Sequence, residues 1–169
     1  YAVDTQRHAL LESRAMCKWL ISKGALSENP FEVVEGVGKR KKSKTQLTID
    51  EARKFAEKCF AEEGHAATAA LCCLLLAMRS GEIVGLTPRS IDDDGRLLRV
   101  FEAKTEAGVR LIEIPEVLRE RLPALADATI TRHFVNYHVR RLCKQAKVTV
   151  VCPHALRGTH ASLATRAGA

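Results

Sequence analysis

A mainly α-helical fold with a small three-stranded antiparallel sheet is predicted by three features of the sequence. Apolar residues recur at helical spacing through most of the chain, and two of the segments open on cap signals, Thr48-Ile49-Asp50-Glu51 and Thr131. Residues 66 to 78 carry no charge and are apolar on every side apart from Thr68, so this helix is expected to be enclosed by its domain. After Thr87-Pro88 the period changes to alternation. Ile91, Leu97 to Phe101 and Arg110 to Ile114 then read as three short strands.

Taken in order, Thr5 is placed to cap a helix running towards Lys23, with Leu11, Ala15 and Trp19 on one face and Gly24 to stop it. One or two helices cannot bury such a face alone. Residues 1–35 are therefore read as the remnant of a helical first domain, which the chain enters partway. Residues 36–46 are a basic linker: two glycines and five basic residues lie between Gly36 and Lys44, with nothing apolar after Val37. Residues 47–169 form a second domain. It opens on a capping box, with Leu47 stapled onto Ala52, and a helix burying Ala52, Phe55, Ala56 and Cys59. Turns at Asp92 to Gly95 and Thr105 to Gly108 separate the strands. Glu116 to Ala126 fits one helix. Thr131 caps the next, with Val135, Val139, Leu142 and Ala146 on one side, and a last helix runs from Pro153 to a stop at Gly168.

With 169 residues and 46% hydrophobic content the chain can bury a substantial core. Lys and Arg number 27 against 20 Asp and Glu, a net charge of +7 that suits a polyanionic partner such as nucleic acid. The six cysteines show no paired metal-ligand spacing, and Cys72-Cys73 read as small hydrophobes, which points to a reduced, cytoplasmic setting. The uncharged stretch is shorter than the roughly 20 residues a membrane helix needs. The chain start has no signal-peptide pattern, so no membrane partner is expected.

Several residues carry a chemical and a structural reading side by side. Arg79 is expected where the buried helix emerges, with Glu82 past the Ser80-Gly81 turn. A guanidinium on so rigid an element could clamp an oxyanion with Glu82 orienting it, or it could satisfy helix-end carbonyls and pair with Glu82 for structure. Lys104, at the edge of the second turn, is either an ordinary hairpin lysine or a cation carried into a cleft. The run Lys39, Arg40, Lys41, Lys42 and Lys44 is a solvated tether or a strap across phosphates. Arg132, Arg140, Arg141, Lys144 and Lys147 make the Thr131-capped helix basic. His154 and Arg157 share a face of the last helix, whereas His160 falls on the apolar side and reads as structural. Asp92-Asp93-Asp94 could be weighed as a Mg²⁺ site, but neighbouring carboxylates diverge along an extended chain and Asp-Gly suits a turn.

The ordered set Arg79-Ser80-Gly81-Glu82, Lys104 in a hairpin returning through Arg110-Leu111-Ile112-Glu113-Ile114-Pro115, and His154-Ala155-Leu156-Arg157 resembles the tyrosine recombinase, or phage integrase, catalytic domain. "ENPFE" before the basic linker and "QLTIDEA" after it add to the likeness, which covers nearly the whole chain. The resemblance implies that Arg79 and Arg157 grip the scissile phosphate of double-stranded DNA and that Lys104 protonates the leaving 5′ oxygen. It also implies that His154 assists proton transfer and that Glu82 braces the site. Lys39, Arg40, Lys41, Lys42, Lys44, Arg140, Arg141 and Lys144 would contact DNA. No metal or other cofactor is expected, and the longer protein would act on DNA with other copies of itself in a tetrameric synapse.

One departure matters. The family's nucleophilic tyrosine and a preceding His or Trp lie downstream of the second arginine, and residues 158–169 contain none of these apart from His160. Tyr137 precedes His154, the wrong place in the order, and reads as a packing or phosphate contact. The chain is accordingly read as an inactive fragment of a longer recombinase. A non-catalytic DNA-binding module using residues 80–91 as a helix-turn-helix, and a nuclease using the Asp run, are the competing classes.

Overall fold

In the computed structural model residues 3–36, 38, 45–92, 94–101 and 109–168 are described, and the chain divides into two compact units, Tyr1–Lys44 and Thr45–Ala169. The basic residues Lys39 to Lys44, and Lys104 in the hairpin, lie outside the described residues.

The first unit is a helix and the loop it holds. α1 (Val3–Ser22) starts ahead of Thr5, which is inside the helix and not its cap; Asp4 sits in the first turn, where the helix dipole favours a carboxylate. Gly24, with φ +70, turns the chain away as expected. The Arg14 side chain donates to the carbonyls of Phe31 at 2.9 Å, Glu32 at 3.0 Å and Val34 at 2.7 Å, which straps the returning loop to the helix. Cys17 is buried, while Leu11, Met16 and Trp19 are each more than half exposed.

The second unit is built around α3 (His65–Leu75), in which every residue from Ala67 to Leu74 is buried. α2 (Ile49–Phe60), α7 (Arg132–Gln145) and α8 (Pro153–Arg166) pack against it. The polar exception is satisfied, since Thr68 Oγ1 donates to the Gly64 carbonyl at 3.1 Å. The capping box forms as read. Thr48 Oγ1 accepts from the Glu51 amide at 3.3 Å, and the Glu51 carboxylate accepts from the Thr48 amide at 2.9 Å. The other oxygen of Glu51 accepts from the amide and hydroxyl of Thr149, joining α2 to the strand of chain that leads into α8. His160 has the structural role expected of it: Nδ1 lies 2.9 Å from the Leu74 carbonyl and ties α8 to the end of α3.

In this second unit three expectations are corrected. First, the buried helix does not run to Arg79. It ends at Leu75, Ala77 takes a left-handed conformation at φ +50, and the Met78 amide folds back on the Cys72 carbonyl at 3.2 Å. Second, among the described residues the sheet has two strands. β1 (Leu97–Val100) pairs antiparallel with β2 (Arg110–Glu113) in the register Leu97↔Glu113 to Val100↔Arg110, and Ile91 adds a single bridge to Leu98. A 3₁₀ turn over Pro88–Ser90 precedes Ile91, and Asp92 Oδ1 accepts from the amides of Arg96 and Leu97, so the chain turns out of the ladder after one residue.

Third, residues 116–126 form two helices, α5 (Glu116–Arg119) and α6 (Leu122–Ala126). Pro123 has no N–H for the carbonyl of Arg119, so a continuous helix is broken there. The break frees Arg121 to reach the carboxyl end of α2, where it donates to the carbonyls of Cys59 at 3.2 Å, Phe60 at 2.8 Å and Glu62 at 3.1 Å. A helix end holds unpaired carbonyls, and one planar guanidinium satisfies three. Arg121→Ala is expected to lower the stability of this unit by about 2 kcal/mol, the scale of losing charge-assisted hydrogen bonds at a half-buried place. Urea unfolding checks it: the midpoint should fall at unchanged slope, and Arg121→Lys should recover only part.

Candidate functional site

The site assembles where the chain leaves α3. Past the turn at Ala77, Arg79 is the extended cap residue of a short helix, α4 (Ser80–Val84). Glu82 reaches back one turn, and its Oε2 accepts from the Arg79 amide at 2.7 Å. The other oxygen, Oε1, accepts from Arg79 Nη1 at 2.7 Å. Arg79 is thus held twice by one carboxylate, at backbone and at side chain.

Glu82 is also held from the sheet. Arg110, the first residue of β2, closes a fork on it, Nη1 to Oε1 at 3.1 Å and Nη2 to Oε2 at 3.0 Å. The Glu82 side chain is only 3% exposed, against 54% for Arg79 and 29% for Arg110. Burial works against its charge, but the bonds from Arg110 and from the backbone and side chain of Arg79 outweigh it and hold the carboxyl down at about 2.

Arg157 comes to the same place from α8. Burial lowers its pKa, the neighbouring charges of Arg79 and Arg110 lower it further, and Glu82 opposes them. Its Nη1 is buried without a hydrogen-bond partner among the described residues. A buried guanidinium nitrogen left unpaired among like charges is costly, and an anion placed between Arg157 and Arg79 would relieve both deficits. Among the described residues three guanidiniums meet one ionised carboxylate here, so these four groups carry a net charge of about +2.

Of the site residues read from the sequence, Arg79, Glu82 and Arg157 are brought together. His154 is exposed, one turn before Arg157 in α8. Lys104 belongs to residues 102–108, outside the described residues. Arg140 and Lys144 are exposed on α7, whereas Arg141 is engaged inside the unit, pairing with Glu62 and donating from Nε to His138 Nδ1 at 3.1 Å. Burial and the charge of Arg141 lower the His138 pKa. Residues 80–91 form a five-residue helix and one 3₁₀ turn, too short for the recognition helix of a helix-turn-helix. Asp92 uses its carboxylate to close its own turn, and Asp93 lies outside the described residues.

Two residues of the site were missed in the sequence. Arg110 is one; its signal was a charged residue opening a strand of otherwise alternating pattern. Arg132 is the other. It is the first residue of α7, and its guanidinium lies against Gly81, where an added Cβ would stand 2.9 Å from Nη2. A glycine at that point lets a further cation approach the start of α4.

No family model matches the sequence, and no curated protein matches it. Solved structures do. The Tn1549 transposon integrase, in complex with a circular intermediate DNA, superposes with a TM-score of 0.80 at 18% identity, over 99% of this chain and 68% of that one. The XerA recombinase gives 0.65 at 16% identity, over 97% and 63%. The integrase from mycobacterium phage Brujita gives 0.63 at 15%, over 99% and 60%. At these identities the likeness is one of fold: the mainly helical arrangement with a small antiparallel sheet is shared with these integrases and this recombinase. The chain spans about 60% of the length of the phage integrase.

Proposed function

We propose that this chain carries the phosphate-activating part of a site-specific DNA recombinase, one that cuts and rejoins double-stranded DNA through a 3′-phosphotyrosyl intermediate. The observation that carries the reading is the buried nitrogen of Arg157, without a partner among the described residues, near Arg79 and a Glu82 carboxylate that cannot neutralise both. Phosphodiesters resist attack because of their own charge. Two fixed guanidiniums stabilise the added charge of the pentavalent transition state, and they do so without a metal ion. The tyrosine oxygen bonds to phosphorus, the 5′ oxygen leaves, and Lys104 gives it a proton. His154, exposed beside Arg157, assists proton transfer at the nucleophile, and Glu82 keeps Arg79 in place. DNA in the Tn1549 integrase complex supports the choice of partner. The tyrosine is supplied from outside residues 1–169, in a longer protein acting in the cytoplasm as a tetramer on DNA.

These 169 residues alone should bind duplex DNA weakly and form no adduct with it. The longer protein, trapped on a nicked duplex in the presence of EDTA, should give a covalent protein-DNA adduct. An adduct formed by Tyr137 of this chain, or cleavage that needs a divalent metal, would overturn the reading. A protein that binds DNA but never forms the adduct would be a non-catalytic binding module instead.

The basic run enters through counterion release. Each neutralised phosphate contributes about 0.9 to the slope of log affinity against log salt. Deleting residues 39–44 removes Lys39, Arg40, Lys41, Lys42 and Lys44 and should flatten that slope by up to about 4.5, read by titrating duplex DNA at several salt concentrations. An unchanged slope would take the linker out of the interface.

A further inference from the structure

The roles above leave Arg110 without one, although it commits both terminal nitrogens to Glu82. We propose that Arg110 is a positioning residue, whose fork on Glu82 fixes the carboxylate that aims Arg79 and keeps that carboxylate from turning towards Arg157. The inference rests on the proposed function only for the identity of the anion.

The argument is one of geometry. Each Glu82 oxygen is shared, Oε1 between Arg79 Nη1 and Arg110 Nη1, and Oε2 between the Arg79 amide and Arg110 Nη2. A planar fork on a planar carboxylate fixes the rotation of the carboxyl group as well as its place. With the rotation fixed, Arg79 spends one side-chain nitrogen on Glu82, and its side chain remains 54% exposed. Without Arg110 the buried carboxylate would be left to the nearest guanidiniums. Arg79 is already on it, and Arg157 lies within electrostatic reach, since Glu82 acts on its charge. A pair formed between Glu82 and Arg157 would consume the nitrogen that now has no partner. Arg110 therefore acts by occupying Glu82. It comes from 28 residues away, so it also pins the first residue of β2 to α4.

Inorganic phosphate is the probe, titrated into the 169-residue protein while the arginine side-chain N–H resonances are followed. Arg110→Lys retains the charge but not the fork, and should weaken phosphate binding on the order of tenfold, the size of coupling expected between groups in direct contact. Glu82→Gln should weaken it similarly, and the double variant should be no weaker than either single one, because Arg110 acts through Glu82. Arg110→Gln, compared by the same titration, covers the case in which the lysine variant fails to fold. Single-variant losses that multiply in the double variant would make Arg110 a direct anion contact and overturn the proposal. So would unchanged binding in Arg110→Lys, or no phosphate binding by the unaltered protein. Neither DNA nor cleavage enters this measurement. The phosphate pattern without any adduct from the longer protein would sink the recombinase reading and leave the positioning role standing.

Discussion

Under the proposed function, Arg157→Ala is expected to slow DNA cleavage by the longer protein on the order of 10²-fold or more, the cost of removing one preorganised donor to a developing oxyanion. Duplex affinity should change far less, because most of the binding charge lies elsewhere on this +7 chain. The ground is local. Arg157 is held at a raised free energy by burial and by the charges of Arg79 and Arg110, and its Nη1 has no partner to lose. A residue whose charge is disfavoured in the free protein gains most when a phosphate acquires additional charge, which is the condition for differential transition-state binding. Folding should not suffer and could improve, since the substitution removes an unsatisfied buried nitrogen. Single-turnover cleavage of a nicked duplex gives the rate, and thermal unfolding of the same variant separates a chemical loss from a structural one. A variant that cleaves at the unaltered rate would take Arg157 out of the chemistry.

What the sequence disclosed follows from how far each interaction reaches along the chain. The Thr48 capping box, the Thr131 cap and the Pro153 start are contacts within four residues, and they stand where the residue types put them. Pro123 is as local, since its missing N–H leaves the carbonyl of Arg119 without a helical partner and splits residues 116–126. The end of α3 was not legible. Nothing in the types Leu76-Ala77-Met78 announces a left-handed alanine, which tertiary packing imposes at a cost that local propensity argues against. The third strand failed for a related reason: Ile91 has the right character, but the Asp92 carboxylate closes a turn directly after it.

The site divides in the same way. Arg79 and Glu82 are three apart, and their pairing could be read from spacing alone. The grip of Arg110 on Glu82 spans 28 residues, and that of Arg141 on Glu62 spans 79. Such pairs depend on topology, so one basic residue looks like another until the fold is known. Along the chain, Arg141 therefore reads no differently from its exposed neighbours Arg140 and Lys144.

Glu82→Ala should be the most damaging change to the fold in this region. It strips Arg79 and Arg110 of the carboxylate they share, and Arg157 of a nearby negative charge. Breaking a fully buried pair costs about 3–5 kcal/mol, but Arg79 at 54% exposure and Arg110 at 29% regain water, so a loss of about 2 kcal/mol is expected. Acid should do to the unaltered protein what the substitution does. The Glu82 carboxyl ionises at about 2 in the fold, against an ordinary value of 4.5 when the chain is unfolded. Its contribution is therefore whole above pH 4.5, shrinks as the pH drops below that, and is gone once the folded carboxyl takes up its proton near pH 2. Glu51, held at about 2 chiefly by its bond from the Thr149 hydroxyl, titrates in the same window, and Glu62, where burial is outweighed by the bond and charge of Arg141, is lowered too, so the acid limb of the unaltered protein reports all three. Glu82→Gln isolates one of them. It keeps an acceptor for the Arg79 amide without a charge, and its stability should fall less steeply between pH 4.5 and pH 2 than that of the unaltered protein. Urea unfolding at several pH values across that range measures both slopes. If the two proteins lose stability in parallel, Glu82 is not the charge that holds the arginines together.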